Sequence, residues 1–138
     1  MIGSKQLTIA RALMVVGVVV ASTSVSAQSG LWLTCNGKPA TIYVLNGKIV
    51  GGPDDGQPYT GTLRGTDGND VIVGTSSDDQ IFGGGGDDMI CAGPGEDVVE
   101  GGPGNDYIEG GPGDDQLRGG PGGDTIQGGP GDDDISAD

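Results

Sequence analysis

The sequence of 138 residues contains no histidine and only two cysteines. The absence of histidine excludes catalytic triads that use this residue and metal sites that depend on imidazole ligands. Aromatic residues make up 4% of the chain, whereas 31 residues are glycine, which raises the entropic cost of folding. A stable fold therefore requires a stabiliser other than an ordinary apolar core.

Basic residues are also scarce. The chain has 6 Lys and Arg against 20 Asp and Glu, which gives a net charge of −14. Nucleic acids and anionic membranes are bound through basic patches, so we expect neither as a partner. The excess of carboxylates instead favours binding of a cation.

The only long apolar run lies at residues 12–21, after the basic Lys5 and Arg11. Small residues follow, and Ser26 and Ala27 fit a signal-peptidase site. We expect residues 1–27 to be a signal peptide and the protein to be secreted, without stable membrane insertion after cleavage. A retained membrane anchor is the alternative, but the run is short for one.

Residues 28–64 precede the repeats and are expected to form an N-terminal cap with a β-hairpin and a linker. Two β-prone runs, at about residues 40–45 and 48–51, are joined by Asn46 and Gly47. An Asn-Gly pair between such runs is a strong hairpin signal, because both residues tolerate positive φ. Trp32 and Tyr43 fit packing in a cap that covers the end of a repeat stack, although a ligand platform is the alternative.

The remaining chain is dominated by eight consecutive nonapeptides over residues 65–136. Glycine occupies the first and fourth positions in seven copies each. The eighth position is always aliphatic: Ile72, Ile81, Ile90, Val99, Ile108, Leu117, Ile126 and Ile135. The sixth position is always aspartate: Asp70, Asp79, Asp88, Asp97, Asp106, Asp115, Asp124 and Asp133.

This period predicts a turn followed by a short strand. Glycines at positions one, two and four permit a tight turn, and the alternation at positions seven to nine is typical of a β-strand. Two facing nonapeptides bury their aliphatic residues, so eight repeats form about four turns of 18 residues. Each aspartate then lies near the aspartate two repeats later. A hard divalent cation relieves their repulsion, and Ca²⁺ suits carboxylate and backbone oxygens better than Mg²⁺ does.

The pattern resembles the RTX, or haemolysin-type, calcium-binding nonapeptide repeat, G-G-x-G-x-D-x-U-x with U a large aliphatic residue. The resemblance implies an all-β, right-handed parallel β-roll over residues 65–138, with essentially no helix in the mature protein and Ca²⁺ between loops i and i+2. It pairs Asp70 with Asp88, Asp79 with Asp97, Asp88 with Asp106, Asp97 with Asp115, Asp106 with Asp124 and Asp115 with Asp133, for up to six ions. It adds turn carbonyls around Gly84, Gly86, Gly93, Gly95, Gly102, Gly104, Gly111, Gly113, Gly120 and Gly122.

The first two repeats depart from this pattern. Thr66 and Thr75 replace the second glycine, and Ser77 replaces the fourth. Sites that use these loops are therefore less well defined by the resemblance. The fifth-position acids are expected to set the local field rather than to ligate, since the fixed carboxylate of the family is the sixth: Asp78, Asp87, Glu96, Asp114 and Asp132.

The two cysteines, Cys35 and Cys91, form an even number in a chain expected to be exported, which favours a disulfide between them. Two free thiols or an intermolecular pair are the alternatives. The whole chain also resembles small secreted calcium-binding proteins of actinobacteria, in residues 35–42 and in Ile90 followed by Cys91. Val73 and Met89 belong to an apolar outer face of the odd-numbered repeats, where we expect the cap to lie; a partner is the alternative cover.

We therefore expect a secreted calcium-binding protein whose repeats fold when they bind Ca²⁺. A calcium-dependent adhesin or surface-interaction module is the alternative. A secreted hydrolase is a further hypothesis, but the sequence contains no distinct catalytic constellation, so we expect no enzyme. We expect a monomer, and the sequence identifies no protein or surface partner.

Overall fold

A computed structural model of the chain describes Leu33–Asp138. The predicted signal peptide at residues 1–27 and Trp32 lie outside the described residues. Within this range the protein is all-β, with thirteen short strands and no helix. In particular, residues 33–138 contain no helix of the length and apolarity needed to cross a membrane.

Five strands precede the repeats: β1 (Thr34–Cys35), β2 (Lys38–Pro39), β3 (Tyr43–Leu45), β4 (Lys48–Val50) and β5 (Thr62–Arg64). Each nonapeptide then supplies one strand from its last three residues: β6 (Val71–Val73), β7 (Gln80–Phe82), β8 (Met89–Cys91), β9 (Val98–Glu100), β10 (Tyr107–Glu109), β11 (Gln116–Arg118), β12 (Thr125–Gln127) and β13 (Asp134–Ser136). The predicted turn-and-strand reading of the repeat is thereby confirmed.

The repeat strands form two parallel sheets. One sheet has the order β12-β10-β8-β6, and the other has the order β13-β11-β9-β7-β5. Strand residues pair with those eighteen positions away, for example Ile72 with Ile90 in one sheet and Ile81 with Val99 in the other. The chain thus winds as a parallel β-solenoid of about four turns, as the sequence predicts.

The core is a double row of eighth-position side chains between the two sheets. Strand alternation directs this residue inward and its two neighbours outward. Ile72, Ile81, Ile90 and Ile108 are fully buried, whereas Ile135 in the last strand is 48% exposed. The core is therefore only one aliphatic side chain deep on each sheet, so the loops must contribute to stability.

The solenoid begins earlier than the first nonapeptide. Strand β5 pairs in parallel with β7, which places Leu63 beside Ile81 in the core. On the opposite sheet, Ile42 forms a parallel bridge with Ile72 and is likewise fully buried. Non-repeat residues thus extend both sheets at the N-terminal end, which the repeat pattern did not predict.

The predicted hairpin is present, with a shorter first strand. Strands β3 and β4 pair antiparallel around Asn46 and Gly47, whose φ angles are 53° and 73°. Residues 40–42 do not join this hairpin, contrary to the predicted bounds. The backbone N–H groups of Thr41 and Ile42 instead donate to the carbonyl of Val71, because the open edge of β6 offers unpaired acceptors.

A second, unpredicted hairpin joins β1 to β2 through Asn36 and Gly37, which also have positive φ. It carries Cys35, which forms the expected disulfide with Cys91, with the Cα atoms 5.5 Å apart. Strand β1 contacts β6 and β8, so the N-terminal segment lies on the odd-repeat sheet as predicted. Val73 and Met89 on that face are accordingly half-buried.

Candidate metal centre

The sixth-position aspartates lie in the loops that connect the two sheets. From the third repeat onward, the Oδ1 atom of each accepts a hydrogen bond from the backbone N–H of the aspartate two repeats earlier. Distances are 2.8–3.1 Å for Asp70 to Asp88, Asp79 to Asp97, Asp88 to Asp106, Asp97 to Asp115, Asp106 to Asp124 and Asp115 to Asp133. The structure therefore brings together all six pairs that the sequence predicts.

The second carboxylate oxygen of these residues has a different environment. In five consecutive loops the Oδ2 atom is buried and has no hydrogen-bond partner: Asp88, Asp97, Asp106, Asp115 and Asp124. A buried, unpartnered carboxylate oxygen is costly, and buried charges in proteins are paired or bind metal ions. These five oxygens indicate a row of positions that a cation would satisfy.

The pKa values of these carboxyl groups reflect the same environment. Burial raises the pKa of Asp88 and Asp97 to about 6 from 3.8, and neighbouring carboxylates add to this effect. The hydrogen bond from the backbone two repeats earlier opposes it. Burial also raises the pKa of Asp79, Asp106 and Asp115. Without a cation, the loops thus disfavour the charged form, which is the form that binds metal.

Glycine at the first position leaves open the space beside four of the five unpartnered oxygens; in the fourth repeat, which holds Asp97, the first position is Ala92. A Cβ atom at Gly101 would collide with Asp106 Oδ2 and would lie 2.7 Å from the carbonyl oxygen of Gly119. The space at Gly110 and at Gly119 is lined by the same kinds of atom, a carboxylate Oδ2 and a carbonyl oxygen. At these glycine positions, oxygens from loops i and i+2 therefore converge beside a residue that has no side chain.

Glycines at positions two and four extend this oxygen-lined space. Gly102 and Gly104 have φ angles of 106° and 152°, and a Cβ on either would collide with the carbonyl of Gly84 or Gly86. The predicted carbonyls that face a glycine two repeats later are those of Gly84, Gly86, Gly93, Gly95, Gly102, Gly104, Gly111 and Gly113. Within residues 33–138, no glycine lies against the carbonyls of Gly120 and Gly122 in this way.

This donor set consists of hard oxygen atoms. Within residues 33–138, no three His, Cys, Asp or Glu side chains lie close enough together to hold a metal by themselves. A cation would therefore take paired carboxylates together with backbone carbonyls. Ca²⁺ accepts six to eight such oxygens in flexible geometry, whereas Mg²⁺ requires a strict octahedron. The residues present fit Ca²⁺.

The first two loops are built differently. Asp70 Oδ2 accepts hydrogen bonds from the backbone N–H of Thr66, at 2.7 Å, and from its hydroxyl, at 2.8 Å. Asp79 accepts the backbone N–H of Thr75 at 2.6 Å and its hydroxyl at 3.1 Å. Neither carboxylate has a buried oxygen without a partner. The threonines that depart from the repeat pattern therefore satisfy these two aspartates.

Fifth-position side chains have a structural role that the sequence analysis did not predict. Asp87 Oδ1 accepts the backbone N–H of Asn105 at 2.9 Å, and Asn105 Oδ1 accepts that of Gly123 at the same distance. Asp78 Oδ1 and Asp114 Oδ1 likewise accept backbone N–H groups from the loops two repeats later, those of Glu96 and Asp132. The frequent Asp and Asn at this position were the available signal. These side chains thus link loop i to loop i+2 beside the row of sixth-position aspartates.

The profile of the RTX calcium-binding nonapeptide repeat matches the chain four times, at residues 55–90, 64–99, 92–126 and 109–138. These matches cover more than half of the chain. The chain belongs to this family. Searches of curated proteins and of solved structures found no match. Membership identifies the RTX loops as calcium-binding repeats, in agreement with the oxygen-lined space between them.

Proposed function

We propose that this RTX chain is an exported calcium-binding protein whose repeats fold into the β-roll on binding Ca²⁺ between loops i and i+2. The observation that supports the proposal is the row of five buried Oδ2 atoms without partners, from Asp88 to Asp124. Bound Ca²⁺ supplies positive charge and coordination to these oxygens, which no protein donor does.

The proposed ligands are the sixth-position aspartates with the glycine carbonyls around them. Oδ1 is already engaged by the neighbouring loop, for instance Asp106 Oδ1 by the N–H of Asp88 at 2.8 Å. That bond fixes the rotamer of the carboxylate and directs Oδ2 to the glycine-lined space. In the folded roll the chain itself therefore orients the ligand oxygen, and this order is gained together with the bound cation.

Folding and binding are coupled in this proposal by charge. With residues 1–27 removed, four basic residues remain against 20 acidic ones, a net charge of −16. Self-repulsion of this size opposes a compact state, and each Ca²⁺ contributes two positive charges at the place of greatest crowding. A ligand that binds the folded but not the unfolded chain stabilises the fold by an amount that grows with the logarithm of its concentration once this exceeds the dissociation constant.

Export would place the chain where calcium is plentiful. We propose residues 1–27 as the signal peptide, residues 28–64 as the cap with its linker, and residues 65–138 as the calcium-binding roll. Extracellular calcium modules commonly bind with dissociation constants of roughly 10⁻⁴–10⁻³ M, so the roll would fold after export. The role proposed is binding rather than catalysis. N-terminal sequencing of secreted protein is expected to begin at Gln28; protein that retains Lys5 and Arg11 would contradict export by cleavage.

Far-UV circular dichroism with and without a calcium chelator tests coupled folding. The β signal is expected to be much weaker in chelator and to return when Ca²⁺ is added in excess. Mg²⁺ at the same concentration serves as the control and is expected to restore little of the signal, because it requires a regular octahedron. A full β signal in excess chelator would contradict the proposal.

A further inference from the structure

Loops one and two differ from the later loops in backbone conformation as well as in composition. Positions two and four of repeats three to eight are glycines with positive φ, whereas residues 65–82 contain no residue with positive φ. The N–H of Gly84, at position two, donates to the carbonyl of Gly101 two repeats later. The N–H groups of Thr66 and Thr75, at the same position, donate to their own aspartates. The position-two donor has therefore changed its acceptor.

The threonine hydroxyls complete this arrangement. Thr66 Oγ1 accepts the N–H of Gly68 at 3.1 Å while it donates to Asp70, and Thr75 Oγ1 accepts the N–H of Ser77 at 3.2 Å. Each threonine thus holds its loop and its carboxylate together. The aspartate that would otherwise require a cation is satisfied by two donors of its own repeat.

The same end of the roll is closed by the cap. Thr41 Oγ1 lies 3.4 Å from Asp70 Oδ1 and accepts the N–H of Val71 at 2.9 Å. The cap residue Ile42 and strand β5 complete the two sheets, and the Cys35–Cys91 disulfide joins the cap to β8. At this end, the cap therefore covers the edge of β6, and protein donors satisfy the carboxylates of Asp70 and Asp79.

From these contacts we infer that residues 33–82 form a calcium-independent nucleus, on which repeats three to eight assemble when Ca²⁺ binds. Thr66 and Thr75 act in it as built-in substitutes for two cations. This inference rests on the proposed function, since it divides the roll into a part that needs calcium and a part that does not.

A nucleus that needs no calcium determines how many Ca²⁺ ions the roll binds. Of the six aspartate pairs, two include Asp70 or Asp79 and four do not. We therefore expect four ions, held by the pairs Asp88 with Asp106, Asp97 with Asp115, Asp106 with Asp124 and Asp115 with Asp133. The nucleus provides a folded edge next to the first of these sites, so the loops of repeats three to eight become ordered one after another from that edge.

Amide hydrogen exchange of the disulfide-bonded chain in calcium-free buffer tests the nucleus. The N–H of Val73 donates to Ile42 and that of Gln80 donates to Gly61, whereas those of Gln116 and Thr125 lie in the distal turns. The first two amides are expected to exchange at least about tenfold more slowly than the last two, because local stability differs along the roll. All four amides are expected to be protected only when Ca²⁺ is added.

Paired substitutions separate the hydroxyls from general effects on folding. T66V/T75V keeps the branched shape but removes both hydroxyls, and is expected to lose about tenfold or more of the calcium-free protection at Val73 and Gln80. T66S/T75S keeps the hydroxyls and is expected to behave as the wild-type chain does. Equal calcium-free protection in the two variants would contradict the role of the hydroxyls.

Calcium stoichiometry by equilibrium dialysis gives an independent readout. The wild-type chain is expected to bind about four ions, and T66G/T75G, which restores glycine at position two, is expected to bind more. Six ions in the wild type, or no gain in the glycine variant, would overturn the inference. A calcium-free chain that is unprotected throughout but folds with Ca²⁺ also overturns it and leaves the proposed function intact. Full protection at all four amides without Ca²⁺ contradicts both the calcium-independent nucleus and the proposed calcium-coupled folding.

Discussion

The two oxygens of one carboxylate have separate tasks in the RTX loops. In Asp106, Oδ1 accepts the N–H of Asp88, whereas Oδ2 is buried without a partner. The first oxygen sets the spacing between loops, and the second is available to a cation. A single residue type at one position of the period thus supplies both a structural bond and a metal ligand.

Asp106→Asn tests this division. Asparagine retains a carbonyl oxygen that can accept the N–H of Asp88, but it loses the charge and the second acceptor. The calcium concentration at the folding midpoint is expected to rise at least about tenfold, equivalent to ~1.4 kcal/mol. Asp134→Asn is the matched control, because this outward aspartate is exposed in β13. Equal midpoints for the two variants would contradict Oδ2 as a ligand.

Raised carboxyl pKa values predict that acid stabilises the calcium-free roll. The pKa of Asp88 and Asp97 is about 6 in the folded chain, against 3.8 for the ordinary group. The folded state therefore binds protons more tightly, so this contribution is fully present below about pH 3.8 and is lost as the pH rises through 6. β signal in calcium-free buffer is expected to be greater at pH 5 than at pH 7. The opposite trend would show that these carboxyls are not buried in the calcium-free state.

For individual residues, the sequence predicts the roles that recur in every repeat but not the roles of the residues that depart from the pattern. Strict recurrence of aspartate at position six indicates the ligand row, since no other position carries a carboxylate in every repeat. The function of Thr66 and Thr75 could not be predicted, because it depends on which acceptor the position-two N–H takes. That choice follows from backbone conformation, which is visible only once the loops are stacked.

Two kinds of loop connect the strands along the roll, and glycine at position four distinguishes them. In repeat five, Gly104 has a φ angle of 152°, and a Cβ there would collide with the carbonyl of Gly86. In repeat one, a Cβ at Gly68 would meet nothing closer than 3.7 Å, and its φ is not positive. The same residue at the same position therefore meets different constraints.

Alanine at these two glycines measures the difference. Gly104→Ala is expected to lower the free energy of unfolding in Ca²⁺ by about 1–3 kcal/mol, because the side chain requires a strained backbone and displaces a carbonyl. Gly68→Ala is expected to be neutral or to stabilise by up to about 1 kcal/mol, since it restricts the unfolded chain. Chemical unfolding of both variants gives the comparison. Similar losses in both would mean that loops one and five share one conformation.

The two hairpins of the cap contain short sequence motifs typical of hairpins, whereas other parts of the cap do not. Asn46 with Gly47 predicts β3 and β4 correctly, and Asn36 with Gly37 carries the same signal for β1 and β2. Strand β5 and the bridge at Ile42 have no comparable local signal. They form because the repeat sheets leave open edges, and that is a property of the assembled roll.

The whole molecule joins a cap that is rich in β-branched residues to a roll that is rich in carboxylates. The disulfide between Cys35 and Cys91 spans 56 residues and connects these two parts. The cluster of apolar outward residues on the odd-repeat sheet predicts that the cap lies there. The way in which the cap docks depends on the pairing of Ile42 with β6 and of β5 with β7, which no local sequence pattern encodes.

Removal of the disulfide tests how the two parts depend on each other. Cys35→Ala with Cys91→Ala is expected to lower the free energy of unfolding in Ca²⁺ by roughly 3–5 kcal/mol, because the bridge closes a long loop in the unfolded chain. A reducing agent is expected to destabilise the wild-type chain similarly and to leave the variant unchanged. A loss under about 1 kcal/mol would mean that the cap docks equally well without the bridge.

Calcium-coupled folding is tested most directly by titrating Ca²⁺ into the chelated chain while circular dichroism and small-angle X-ray scattering are recorded together. β signal and compaction are expected to change with one midpoint, and the radius of gyration is expected to fall toward about 13 Å, the value typical of a compact chain of this length. A chain that is already compact and β-structured in chelator, and that does not change when Ca²⁺ is added, would contradict the account.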